Sequence, residues 1–266
     1  MKLLTLNTHS IIESDYENKL KTFTDTISLI RPDVIALQEV NQSDDAIGSI
    51  DIDGYIRPTG NICIKSDNHI ARVNSALRTK GISYNWSWLP IKNGFDKLDE
   101  GIGILSLSPI LETKVILLSK TDDYYNWRKR MALGVKTADN VWYYSVHFGW
   151  WDDEIEPFEK QWNTFKNSIN SDDELWIMGD FNSVPDSSAY NKIINDNWFD
   201  TYELAEEKDN GTTVMGEISG WQNDESAKRI DYIFTNKRHR IRSSNIIFNG
   251  TNKEIVSDHF GVIVEV

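Results

Sequence analysis

Trp176-Ile177-Met178-Gly179-Asp180-Phe181-Asn182 is a short apolar run that stops abruptly in turn-forming residues. Its brevity, its apolar character and the Gly-Asp stop predict a buried strand. Asp180 and Asn182 then stand two positions apart, just past a strand end. In layered α/β folds that is where the loops that carry chemistry gather. A carboxylate and a carboxamide there suit a site that activates water and grips a phosphate or a metal. The alternative is an Asx-type turn that merely closes the strand. Partners at other strand ends decide between the two.

Working outward, residues 2–7 read as a first strand that ends at Asn7, followed by Thr8 and His9. Tyr16, Leu20, Phe23, Ile27 and Ile30 recur at helical spacing, and Pro32 stops that helix. Residues 34–37 form a buried strand running straight into Gln38 and Glu39. Residues 41–61 are polar and turn-rich, a loop with a short helix. Ile70, Val73 and Leu77 predict a second helix closed by Gly81, with His69 at its start as a surface histidine. Tyr84, Trp86 and Trp88 alternate with polar residues, as a strand does, and 93–100 reads as a polar loop. Strands follow at 101–106 and 110–118. A hairpin pairs 131–136 with 141–146, and its second arm ends in His147. Phe158, Trp162, Phe165 and Ile169 mark another helix, and 187–194 a short one. Strand 229–234 carries Asp231 near its start, 241–248 is a further strand, and Asp258-His259 precedes the last, 260–266.

Many strands with few helices, and no Pro/Gly/Ser linker, predict one domain over 1–266: two sheet layers flanked by helices. The formal charge is −13, with 41 acidic against 28 basic residues. A nonspecific nucleic-acid binder relies on Lys/Arg contacts to phosphates, so nucleic acid is disfavoured and a small phosphate-bearing substrate preferred. One cysteine, Cys63, excludes an intramolecular disulfide and points to a reducing, cytoplasmic location. There is no run of about 18 apolar residues, and the first residues turn polar too soon for an export signal. No membrane partner is expected.

Asn7, Glu39, His147, Asp180, Asn182, Asp231, Asp258 and His259 all sit where a buried strand starts or stops. Each has an ordinary structural reading, as a cap, a turn or a satisfied core histidine. Together they offer hard oxygen ligands without thiols, which suits Mg²⁺ or Mn²⁺. Phosphate-loop, dinucleotide and nucleophile-elbow motifs are absent.

In order, the chain carries L-N-T-H at 6–9, L-Q-E-V at 37–40, G-I-G-I-L-S at 101–106, S-V-H-F at 145–148, G-D-F-N at 179–182, R-I-D-Y-I-F at 229–234 and S-D-H-F at 257–260. This set and order closely resembles the endonuclease/exonuclease/phosphatase superfamily, of pancreatic-deoxyribonuclease-like fold. The resemblance implies a four-layered α/β sandwich, with two mixed sheets face to face and helices outside. It also implies metal-assisted attack of water on a phosphate ester. Carried over by motif, Glu39 would be the main metal ligand, with Asn7 and Asp258 beside it. Asp231 would orient His259, and Asp180 or the His259–Asp231 pair would deprotonate the water. Asn182 and His147 would hold phosphate oxygens. Several nucleases have an acidic residue where this chain has His9, which makes His9 a candidate phosphate or metal contact.

The run from His147 to Glu154, with Asn126 to Arg130 before it and Gly220-Trp221 ahead of the 229–232 motif, is similar to the maltose 6′-phosphate phosphatase group of Gram-positive bacteria. That resemblance implies removal of phosphate from a small phosphorylated sugar. Arg130 would then clamp the phosphate, and Trp150 and Trp151 would wall the sugar, unless both are core. The alternative is a metal-dependent phosphodiesterase, either a nuclease or a sphingomyelinase.

Overall fold

The computed structural model describes residues 1–49, 51–218, 221 and 224–266. Its elements, in chain order, are β1 (Lys2–Asn7), a 3-10 turn (Ser10–Ile12), α1 (Tyr16–Ile30), β2 (Val34–Ser43), α2 (His69–Thr79), β3 (Asn85–Gly94), β4 (Leu98–Ser106), β5 (Ile110–Leu117), β6 (Met131–Thr137) and β7 (Trp142–His147). Then come α3 (Phe158–Ser168), β8 (Leu175–Asp180), α4 (Ser188–Asn195), β9 (Phe199–Asp200), α5 (Thr201–Leu204), β10 (Ala205–Lys208), β11 (Asp231–Thr235), β12 (Ile241–Ile247) and β13 (Gly261–Glu265). One sheet runs β10-β12-β13-β1-β2-β4-β3 and the other β5-β6-β7-β8-β11-β9. Both are mixed: β1 and β2 are parallel, as are β7 and β8, and each of these two pairs is flanked by antiparallel neighbours, while the edge strand β10 runs parallel to β12.

The apolar pattern of β8 shows why these layers form. Trp176 and Met178 enter the core between the sheets, with Leu3, Ala36 and Ile104 of the other sheet. Leu175 and Ile177 face outward into a second core under Phe158, Trp162 and Phe165 of α3 and Ile193 of α4. A strand buried on both faces reads as a continuous apolar run rather than an alternating one. Leu4 and Leu6 of β1 likewise turn outward, under Phe23 and Ile27 of α1 and Val73 of α2. The result is helix, sheet, sheet, helix. Among the described residues no helix is long and apolar enough to cross a membrane.

Three local expectations are corrected. Residues 93–100 are not a loop but a hairpin, whose tip holds Phe95 and Asp96 at φ 53° and 58°. Two consecutive left-handed residues are what a tight hairpin turn requires, and neither is the glycine that normally signals one. The described residues of 41–61 hold no helix, because β2 continues to Ser43 past an irregularity at Gln38 and Glu39. His69 is not on the surface. It is 5% exposed, and its Nδ1 meets the Tyr16 hydroxyl at 2.9 Å.

Gly179 holds φ 151°, and a Cβ there would collide with the Val146 carbonyl oxygen on β7. Only glycine lets β7 and β8 close up at that level. Gly179→Ala is expected to cost at least about 1–3 kcal/mol, the usual cost of a disallowed backbone state, read as a lower urea midpoint. His69 makes a second prediction. Burial, then Arg72, holds its pKa at about 3 against an ordinary 6.5. The unfolded chain therefore takes up a proton that the folded one refuses. This contribution to stability is complete above pH 6.5 and is lost as pH falls toward 3, at up to about 1.4 kcal/mol per pH unit. His69→Asn keeps an acceptor for Tyr16 but cannot titrate, so its unfolding free energy should fall less steeply with acid. Identical slopes in the two proteins would contradict this.

Candidate active site

Strand register assembles the site. On the second sheet His147 pairs with Asp180, and Asp231 pairs with Asp180 from the other side. Three residues 33 or more positions apart in the chain thus stand side by side. On the first sheet the register of β2 against β4 shifts between Leu37 and Val40, so Gln38 and Glu39 face one residue, Ile102. Glu39 takes φ 50° in this bulge. Bulges re-aim side chains next to active sites. Thr8 Oγ1 bonds the bulged carbonyls of Gln38 (2.8 Å) and Glu39 (3.2 Å). Beneath it, Gln38 is fully buried and ties the sheets together, accepting from Thr5 Oγ1 and donating to Ser145 Oγ at 3.0 Å. Above this tie a cleft of roughly 360 Å³ opens, lined by Glu39, Glu100, Arg130, His147, Asp180 and His259, among others.

Asp180 lies at the centre and is 2% exposed. Its Oδ1 accepts from the Asn182 main-chain N–H at 2.8 Å, which is an Asx turn. Its Oδ2 accepts from Asn7 Nδ2 at 3.2 Å. One oxygen therefore closes the turn and the other, with Asn7, is turned to the cleft that Asp180 lines. Burial, then the neighbouring Asp231, pushes the Asp180 pKa up to about 7.

Two histidines flank this carboxylate and are driven apart electrostatically. His259 Nδ1 bonds Asp231 Oδ2 at 2.9 Å, and its Nε2 lies 3.9 Å from Asp180 Oδ2. Burial opposes its charge, but Asp231 outweighs burial and holds His259 up to about 10. His147 Nε2 lies 3.6 Å from Asp180 Oδ2. Burial, then Arg130 and Lys92, push its pKa well below 6.5, so it is neutral. Asn182 Nδ2 donates to Phe148 O at 2.9 Å, which fixes the amide, and contacts His147 Nε2 at 3.2 Å. That places the ring proton of His147 on Nδ1. Trp221 Nε1 donates to Asn182 Oδ1 at 3.4 Å. Opposed pKa values at one centre mark acid and base assignments.

The donor set fits a divalent cation. Glu39 accepts from Asn7 Nδ2 at 2.9 Å. Its one ion-pair contact among the described residues is the neutral His147, at 4.0 Å. Burial, then Glu100 and later Asp258, raise its pKa. Crowded carboxylates such as these are what a hard metal ion relieves. At the rim, His9, Glu13 and Asp258 bring ligand atoms within 4.8 Å of one another, as do Asp180, Asp231 and His259 deeper in. His9 Nδ1 bonds Glu13 Oε1 at 2.8 Å, and Asn7 turns its Oδ1 toward the His9 N–H at 3.4 Å.

Of the other sequence-picked residues, Arg130 and Trp150 line the cleft. Trp151 does not: it packs on Phe158 of α3, ring centres 6.4 Å apart. Gly220 lies outside the described residues. Glu100, Lys92, Trp127 and Phe95 also line the cleft and were not picked. Glu100 carried a usable signal, since it stands directly before a buried strand, as Glu39 directly follows one. Lys92 gave none, being one lysine after an apolar run. Phe95 also lines a neighbouring groove with Ile11, Ile12, Asp44, Asp45, Asp96 and Lys97.

The sequence model described as the Endonuclease/Exonuclease/phosphatase family matches residues 4–259. A solved family protein from Leptotrichia buccalis is 32% identical, with TM-score 0.88, covering 100% of this chain and 98% of that one. A mannosyl-6-phosphatase of Bacteroides thetaiotaomicron is 16% identical, TM-score 0.66, with 100% and 98% covered. An AP endonuclease from Archaeoglobus fulgidus is 15% identical, TM-score 0.64, also with 100% and 98% covered. The latter two share the fold. No curated protein matches.

Removing the Glu39 charge tests the cation fit. Glu39→Gln should be at least as stable as the parent without metal, because like-charge crowding is relieved. With Mg²⁺ or Mn²⁺ the parent should gain about 2–3 kcal/mol at a hundredfold excess over Kd, and the variant little. Equal cation-induced shifts in melting temperature would remove Glu39 from the metal site.

Proposed function

The chain belongs to the endonuclease/exonuclease/phosphatase family of metal-dependent phosphoester hydrolases, and on that premise we propose that it removes the phosphate from a small sugar phosphate, maltose 6′-phosphate being the first candidate. The observation that carries this reading is the pairing of the Asp180 centre with its surroundings. Trp127 and Trp150 meet edge to face, ring centres 6.0 Å apart, at the cleft. The groove beyond Phe95 presents three aspartates against one lysine, Lys97, with apolar surface between them. Aromatic faces pack on sugar rings and carboxylates accept their hydroxyls, whereas an acidic groove repels a polyanion. The net charge of −13 supports the same choice. In this proposal residues 1–266 act as one domain, since both sheets contribute to the cleft, and the lone Cys63 supports a reducing, cytoplasmic setting.

The residue roles are part of the proposal. Glu39, with Asn7 and Asp258 beside it, would hold Mg²⁺ or Mn²⁺, which when bound offsets charge on the phosphate and the leaving oxygen. Asp180 Oδ2 accepts the proton of the attacking water as the new O–P bond forms. Its place at the centre of the cleft, between His147 and His259, suits that task. His259, held protonated by Asp231, is a donor rather than a base. Its Nε2–H faces the phosphate and supplies the proton the sugar oxygen needs as the P–O bond breaks. Asn182 exchanges its contact with His147 for a phosphate oxygen. Arg130 binds the phosphate, and His9 stands at the rim as a further contact.

Phosphate release from a panel of sugar phosphates, with Mg²⁺ or Mn²⁺ and with or without chelator, is the decisive measurement. We expect chelator-sensitive release, strongest with a 6-phosphorylated disaccharide. His259→Ala should lower the rate on the order of 10²–10⁴-fold. Release from no sugar phosphate, together with plasmid nicking or sphingomyelin hydrolysis, would make the protein a phosphodiesterase instead.

A further inference from the structure

Two buried cations share one wall of the cleft. Lys92 lies on β3 just past a register shift at Pro90, opposite Glu100 on β4. It is 9% exposed and Arg130 is 4% exposed. Lys92 Nζ meets Glu100 Oε1 at 3.0 Å and the Trp127 carbonyl at 3.4 Å. Arg130 Nη1 donates to that same carbonyl at 2.9 Å and to Lys129 O at 3.2 Å. Among the described residues Arg130 Nε has no hydrogen-bond partner, nor has the indole N–H of Trp150 in the same cleft. Burial, then Arg130, pushes the Lys92 pKa down, and burial does the same to Arg130. Among the described residues one carboxylate, Glu100, is in ion-pair contact with the pair, through Lys92. Glu39 and Asp180 act on Arg130 only through space. Buried donors without acceptors are costly, and an anion bound against this wall would satisfy them.

Building on the phosphatase reading above, we propose that Lys92 is a second phosphate-binding cation beside Arg130, and that the pair selects a phosphate monoester dianion over a diester. Near neutral pH a monoester, with a second pKa of about 6, carries nearly two charges on three free oxygens. A diester carries one charge on two free oxygens and brings a second substituent against Trp127 and Trp150. The planar guanidinium suits two oxygens and the ammonium, a point charge, suits the third.

The test compares 4-nitrophenyl phosphate with bis(4-nitrophenyl) phosphate at a fixed Mn²⁺ concentration, and titrates orthophosphate calorimetrically. Lys92→Met should lower kcat/KM on the monoester about 10- to 100-fold, the scale of one lost charge-assisted hydrogen bond, mostly through KM. Diester turnover should stay within a few-fold, orthophosphate should bind at least tenfold more weakly, and Lys92→Arg should restore part of both losses. If Lys92→Met misfolds because Glu100 is left buried and unpaired, Lys92→Met/Glu100→Gln replaces it and is compared with Glu100→Gln alone. An unchanged monoester-to-diester ratio would overturn the proposal. Should the parent hydrolyse no monoester, the phosphatase reading fails separately. The orthophosphate titration then judges Lys92, and equal affinity in parent and variant, or no binding by either, counts against it.

Discussion

Burying Asp180 beside Asp231 is the constraint on which the rest of the site depends. Two carboxylates out of water repel each other, and each loses several kcal/mol of solvation. Several neighbours offset that cost, although Asp231 Oδ1 has no hydrogen-bond partner among the described residues. Asn7 and the Asn182 main chain each donate to Asp180, and His259 bonds Asp231 and stays charged. Burial, then the like charge of Asp231, remains as a raised pKa on Asp180, and a carboxylate poised near neutrality is useful to a hydrolase. The cost and the chemistry have one origin.

The two histidines follow the same logic in opposite directions. Both are buried, at 9% and 4% exposure, so burial alone would keep both neutral. Asp231 reverses that for His259. Arg130 and Lys92 reinforce it for His147. The cleft is polarised as a result, with carboxylates at Glu39, Asp180 and Asp258 and cations at Arg130 and Lys92. A phosphate ester bound through a divalent ion has the complementary charge pattern.

The legible parts of the chain were those with a local cause. The buried run 175–180, the helical faces of α1, α2 and α3, and the hairpin of β6 and β7 all follow from apolar spacing and turn residues. So did the strand-end residues Asn7, Glu39, His147, Asp180, Asp231 and His259, because a polar group directly against an apolar run is visible in one dimension. The hairpin tip at Phe95 was not visible, since its left-handed residues are not glycines and pairing across β3 and β4 imposes them. His69 was read as a surface residue because its helix position said nothing of Tyr16, 53 positions away. Lys92 was silent because its meaning lies in Arg130. Trp150 and Trp151 are adjacent in sequence, yet one lines the cleft and the other packs on α3, a division that only the path of the loop after β7 makes.

The sequence by itself determined most of the strands and helices, the layered architecture, the family and the candidate site residues, because periodicity and ordered motifs are local properties of the chain. Tertiary structure alone decided that Asp180 would serve both as turn and as catalytic candidate, that one histidine is charged and the other neutral, and that Lys92 joins Arg130. Those outcomes rest on electrostatic coupling between groups brought together by sheet register and burial. Coulomb interactions depend on distance and dielectric, and the sequence records neither.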